Sequence, residues 1–278
     1  MFTKLNRFYF SLPIVPIVIG IGIPFLFSLS FATAQPLQKV KNDAFIAGEH
    51  LKYRAYYDSY VTGKVTAGVA SIDVKFERQN YNGREVYQIV GEGHSKGAFN
   101  MFYKVDDHFE SLTDCEYLVP WIFLRRTLEG DYKYNDDVKF NQFTGSYSST
   151  RANKKMPQGT HDILSALFYA RTLDFTNVKQ GDTFPVNFLL DDSVYVSIIK
   201  FVGREDVMID AGNFHCLRFQ PMVVTGNVFS QPYPMDVWVT DDKNHLPVLA
   251  KSGVLVGSVK MELTEYKGLA NPVTSKFP

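Results

Sequence analysis

Ala70-Ser71-Ile72-Asp73-Val74-Lys75-Phe76-Glu77 alternates apolar and polar residues without a miss, the period of two that marks a strand with one buried and one wet face. Gln79-Asn80-Tyr81-Asn82-Gly83 follows, and then Glu85-Val86-Tyr87-Gln88-Ile89-Val90. Asn82-Gly83 tolerates the positive φ that a tight hairpin demands, so the stretch predicts a long β-hairpin.

The same grammar recurs toward the C-terminus. Val194 to Val202 reads as a strand that turns through Gly203-Arg204-Glu205-Asp206 into Val207-Met208-Ile209, and Asp210-Ala211-Gly212-Asn213 turns the chain into Phe214 to Phe219. Met235 to Thr240, Leu246 to Val254 and Val259 to Thr264 add further strands. About ten to twelve strands in meander order predict a mainly β fold, a curved antiparallel sheet curling toward a partial barrel. Thr160 to Thr172 breaks the rule: it lacks Gly and Pro, and its apolar residues fall at 163, 164, 167, 168 and 170. That is helical spacing, with Thr160 as the expected N-cap and Asp162 complementing the helix dipole, so one α-helix is expected to pack across the sheet.

Ahead of these elements, Lys4 and Arg7 precede an uncharged stretch from Phe8 to Phe31, followed by Ala32-Thr33-Ala34. A positive segment, an apolar segment and a small-x-small site are the order of a secretory signal peptide, so residues 1–34 are expected to be cleaved after Ala34. The chain is thereby read as an exported protein of the bacterial periplasm or envelope with no integral membrane anchor. Residues 35–44 and 268–278 are expected as tails around one β-rich domain, 45–267.

Without Lys4 and Arg7, 27 basic residues stand against 29 acidic ones. A near-neutral chain without a basic stripe has no electrostatic footprint for nucleic acid, nor an evident one for anionic membrane surfaces. No Cys-x-x-Cys, His-Glu-x-x-His, phosphate-binding Gly loop or Gly-x-Ser-x-Gly elbow occurs, and no catalytic residue, metal ligand or cofactor is assigned.

A few residues break the pattern. Asp107 falls on the core side of a strand with Val105 and Phe109, and a carboxylate aimed at the core needs a partner. Arg125, Arg126 and Arg171 are the candidates, and Asp162 is a second acid for such an internal ion pair. Lys104, Asp106, His108 and Glu110 share the opposite, solvated face, and His215-Cys216 point to opposite faces of a strand. His161, Asp162 and Ser165, with Arg171, invite a hydrolase reading, but Asp162 and Arg171 fall about 180° apart round the helix, His161 is adjacent to Asp162, and no elbow exposes a nucleophile. Cys115 and Cys216 are the only cysteines. In an oxidising compartment they are either bridged across a loop of about 100 residues or free in the core.

Aromatic residues are abundant, with 23 Phe and 16 Tyr. Phe99, Phe102, Tyr103, Phe229 and Tyr233 are the candidates for an apolar lining. The expected function is non-enzymatic: capture of an apolar ligand, lipid or glycan, or docking of an envelope protein partner. A periplasmic hydrolase and a self-associating structural β domain are the alternatives.

An ordered set of residues carries a further likeness. It comprises Gly48-Glu49-x-Leu51-x-Tyr53, Ala67-Gly68-x-Ala70, Tyr103-x-Val105-x-Asp107-x-x-Glu110-Ser111 and Asp162-x-x-Ser165-Ala166 with Arg171. Trp238-Val239-x-x-Asp242, Leu246-Pro247 and Gly257-Ser258 complete it. From about Phe45 to Tyr266 the chain resembles domain-of-unknown-function family 3108, exported bacterial proteins frequent in Bacteroidetes. The resemblance implies a curved antiparallel sheet or partial barrel and brings no catalytic residues with it.

Overall fold

The computed structural model describes residues 37–60, 63–222, 235–253 and 258–278. The expected signal segment, cleavage site, Phe229 and Tyr233 lie outside them. The chain runs β1 (His50–Ser59), β2 (Gly63–Val74), β3 (Gln79–Tyr81), β4 (Arg84–Ser95), α1 (Phe99–Phe102), β5 (Asp106–Asp114) and β6 (Pro120–Glu129). It continues through β7 (Tyr132–Asn141), β8 (Ser146–Ser148), β9 (Asn153–Lys155), α2 (Ile163–Ala170), β10 (Thr183–Leu190) and β11 (Ser193–Ile209). β12 (Gly212–Pro221), β13 (Met235–Thr240), β14 (Pro247–Gly253), β15 (Ser258–Lys267) and β16 (Lys276–Phe277) complete it.

All strands join one antiparallel sheet whose path runs β10-β11-β12-β13-β14-β15-β1-β2-β4-β5-β6-β7-β8-β9, with β3 on β4 and β16 on β12. The ladder does not close into a barrel. Side chains span its two edges instead: at the β10–β11 turn Arg125 bonds Asp191 at 3.0 Å, and the Tyr147 hydroxyl and the Lys154 ammonium both donate to the Asp192 carbonyl, at 2.7 and 3.0 Å.

The Asn82-Gly83 turn forms as its chemistry requires. Tyr81 pairs Arg84, and the two turn residues take φ of 51° and 83°, the double positive φ of a type I′ hairpin. The alternating stretch is shorter than its pattern, for β2 ends at Val74 and Phe76 is 83% exposed. A strand needs a partner as well as a period, and β1, whose His50 pairs Asp73, begins there.

Gly203-Arg204-Glu205-Asp206 is not a turn. β11 runs through it for 17 residues, with one extra residue bulged between Phe201 and Gly203. The polar run stays extended because its charges find cross-strand partners: Glu205 meets Arg218, Asp206 meets His215 and Arg204 meets Asp241.

The α2 helix begins with the first residue of the apolar spacing, Ile163, but its N-cap falls two residues later than expected. Asp162, not Thr160, is the N-cap: its Oδ1 accepts from the Leu164 and Ser165 N–H groups at 2.8 Å each, and the Ser165 hydroxyl accepts from the Asp162 N–H at 3.0 Å. This reciprocal box satisfies backbone donors that a helix start leaves open. Thr160 turns away to donate to the Pro157 carbonyl. Leu164 and Phe168 face inward, and Gly91 on β4 leaves room for Leu164, whose Cδ2 lies 3.1 Å from where a Cβ would sit.

Parts of both expected tails pack onto the domain, Ala44 at one end and Leu269, Val273 and Ser275 at the other. Ala44 and Phe45 are buried, Phe45 meeting Phe168 edge-on at 4.7 Å between ring centres. At the other end Leu269 and Val273 pack on the cluster of Leu51, Phe214 and Trp238, and Ser275 donates to Asp242 at 2.8 Å. The sequence around both segments lacks strand periodicity, so their burial comes from filling the ends of the sheet.

Candidate functional site

An open cleft of about 750 Å³ lies between the β3–β4 hairpin tip and the edge strands β7, β8 and β9. Register builds its floor: Lys139, Ser148 and Asn153 line up across the three strands, and Asn141, Ser146 and Lys155 form the next row. Phe140 and Tyr147, one residue out of phase, are buried beneath this floor. Tyr81 and Asn82 come from the hairpin tip. Phe143, in the β7–β8 turn and 58% exposed, tilts against Trp121 at 5.3 Å.

The electrostatics are one-sided. Arg84, Lys139, Lys154 and Lys155 line the cleft, and among the described residues no carboxylate does. Arg84 is already neutralised by a bidentate pair with buried Asp114 and a contact to Glu116. Burial pushes the Asp114 carboxyl up, but Arg84, the Trp121 indole N–H and two backbone N–H groups outweigh it and hold the group below the usual range. Lys154 donates to a carbonyl. Lys139 and Lys155 have no counter-ion among the described residues. Flat rings, amides, hydroxyls and unpaired ammonium groups together suit a polar, anionic ligand with ring faces.

None of the candidate site residues that fall among the described residues lies in this cleft; it shares with the sequence reading only Tyr81 and Asn82 of the hairpin. Phe99, Phe102 and Tyr103 sit on or beside α1 and are exposed, so they line no interior cavity. Asp107 pairs with none of the three arginines. It accepts from the Leu128 N–H at 3.1 Å and hydrogen-bonds Glu129; burial pushes both carboxyls up, against the more distant attraction of Arg125. Arg125 is taken by Asp191 and Arg126 by Asp137 at 2.6 Å. Asp162 makes no ion pair; beyond its capping bonds it accepts from the Ser111 hydroxyl at 2.6 Å, and burial pushes its carboxyl up to about 6. Arg171 does form a buried pair, with Glu49.

The polar face of β4 and β5 holds cross-strand pairs, His94 with Asp106 and His108 with Glu92. No group of three or more acidic, His or Cys side chains among the described residues is placed to hold a metal. His161 stacks on Tyr169 at 4.7 Å, fully buried, which pushes its imidazole down to about 3.

Cys115 and Cys216 are free thiols, so the bridged reading is overturned. Cys216 sits on β12 and Cys115 just after β5, seven places away along the strand order. Burial pushes the thiols up to about 11 for Cys115 and about 12 for Cys216. Native protein should therefore react with iodoacetamide roughly a hundredfold or more slowly than denatured protein, as followed by mass spectrometry. Fast labelling of both in the native state would contradict this burial.

The cleft was missed because its residues are dispersed over 75 positions and aligned only by strand pairing. Its one local signal was the aromatic Phe143 beside the Thr144-Gly145 turn, near the Lys154-Lys155 pair.

In overall fold the chain is similar to the crystal structure of a β-barrel-like protein of domain of unknown function DUF1849 from Brucella abortus, with a TM-score of 0.52, 10% identity, and coverage of 81% of this chain and 98% of that one. A protein from Parabacteroides distasonis ATCC 8503 is more loosely similar, with a TM-score of 0.37, 13% identity, and coverage of 83% and 99%. No curated protein matches the chain. The sequence itself places it more closely: residues 52–264 match DUF3108, a protein family of unknown function, and the chain belongs to that family.

Proposed function

We propose that the protein is an exported binding protein of the bacterial envelope, and that its cleft takes an acidic glycan. The observation that carries this reading is the lining itself, in which, among the described residues, Lys139 and Lys155 stand without counter-ions beside exposed Phe143, amid amides and hydroxyls and with no carboxylate. Carboxylate or phosphate groups on the glycan would meet the ammonium groups, and its sugar rings would lie on Phe143 and Tyr81. The cleft is open and its cations sit on strands, so it grips part of a longer chain without engulfing it.

Titration calorimetry with an acidic oligosaccharide and its neutral counterpart tests this. The acidic one should bind and weaken with added salt, and Lys139→Ala or Lys155→Ala should each lower its affinity by about tenfold, the scale of a charge-assisted hydrogen bond. Equal binding of the neutral sugar, or affinity untouched in both variants, would remove the cleft from consideration.

A further inference from the structure

The connection between β4 and β5 reads Lys96-Gly97-Ala98-Phe99-Asn100-Met101-Phe102-Tyr103-Lys104, and all nine residues are exposed. Met101 is 82% and Phe102 88% exposed. Single exposed apolar residues need no explanation, but four large ones within five positions, in a segment with a lysine at each end, do. The segment is held in this shape. The Ser95 N–H donates to the Val105 carbonyl at 3.0 Å, the Lys96 N–H to Ala67 at 2.8 Å, and the Gly130 N–H to Lys104 at 2.7 Å. The Ser95 hydroxyl donates to the Asn100 side chain at 2.5 Å, and the Phe99 and Tyr103 rings meet edge-on at 6.0 Å. Met101 and Phe102 are thus presented outward from a clamped base.

We infer that this knuckle docks the protein on a bilayer containing anionic phospholipid, with Met101 and Phe102 entering the boundary between headgroups and acyl chains while Lys96 and Lys104 meet the headgroup charge. Lys133, exposed beside the β6–β7 turn on which Tyr103 rests, adds a third cation. None of the three lysines has an ion-pair partner among the described residues. Of the nearby acids Asp106 bonds His94 and Glu129 bonds Asp107, and exposed Asp131 is a further opposing charge. Met101 and Phe102 are left almost uncovered by the rest of the protein, as insertion requires, and aromatic and Met side chains between lysines are the composition of an interfacial anchor. Near-zero net charge hid this site because the lysines are gathered only when the strand ends meet.

The test is co-sedimentation of the protein recovered from an exporting host with phosphatidylglycerol-containing vesicles and with pure phosphatidylcholine vesicles. The first should retain the protein more strongly than the second. The double variant Met101→Ser/Phe102→Ser and the double variant Lys96→Glu/Lys104→Glu should each weaken retention by about tenfold or more. Both alter exposed side chains only, and unchanged thermal melting would show that they fold. Lys139→Glu/Lys155→Glu in the cleft should leave retention unchanged, which separates this inference from the glycan reading. Equal retention on the two vesicle types, retention unaffected by the knuckle variants, or a protein partner lost from those variants while vesicle retention stays intact would each overturn it.

Discussion

Arg171→Met is expected to destabilise the protein by about 3–5 kcal/mol, the cost of leaving a buried charge without its partner. The Glu49 and Arg171 side chains are almost completely shielded from water, and both carboxylate oxygens are bonded by the guanidinium. The same guanidinium donates to the Asn244 carbonyl at 3.1 Å and the Ala44 carbonyl at 3.3 Å, and lies over the Phe168 ring at 5.0 Å. Removing it strands a carboxylate and two carbonyls at the point where the end of α2, the entry to β1 and the β13–β14 connection meet. The double variant Glu49→Leu/Arg171→Met should recover the part of the loss that comes from the stranded carboxylate, because two apolar groups need no partner there, while the Asn244 and Ala44 carbonyls stay without this donor. Urea denaturation of the wild type, both singles and the double forms the cycle; a single variant costing under about 1 kcal/mol would show the pair to be dispensable.

The second large effect depends on pH and belongs to His161. Its buried imidazole is pushed down from 6.5 to about 3, so below pH 6.5 the unfolded chain takes up a proton that the folded chain refuses. Stability is therefore lost as pH falls through the window from 6.5 to 3, by about 1.4 kcal/mol per pH unit. Asp162 works in the opposite sense: burial pushes its carboxyl up to about 6, so the folded chain binds that proton more tightly and gains stability as pH falls from 6 toward 3.8. The two adjacent groups mask one another in the wild type. His161→Phe keeps the ring on Tyr169 and removes one of them, so the stability of the variant relative to wild type should grow by about 3 kcal/mol between about pH 7.5 and pH 4.5. A difference that stays flat with pH would mean that the imidazole is hydrated in the folded protein.

The residues that carry the family likeness gain their meaning here. Glu49 and Arg171 are the buried pair; Asp162, Ser165 and Ser111 form the cap of α2 and its tether to β5; Asp242 gathers Thr240, Asn244 and Ser275. They hold the ends of the sheet together, and none of them lines the cleft.

The sequence by itself determined the local decisions. Asn82-Gly83 dictates its hairpin because only residues tolerant of positive φ fit a type I′ turn, and the apolar spacing from 163 to 170 dictates a helix with one buried face. The alternating strands dictated an antiparallel β fold. Tertiary structure decided whatever depended on neighbours. β2 stops where β1 begins, β11 passes through its polar run because β12 pairs it, Arg171 finds Glu49 from 122 residues away, and Asp107 finds Glu129 in place of an arginine. The cleft lysines and the exposed knuckle belong to the same class. Which charges lack partners, and which apolar residues lack cover, is fixed only when strand register sets every side chain among its neighbours.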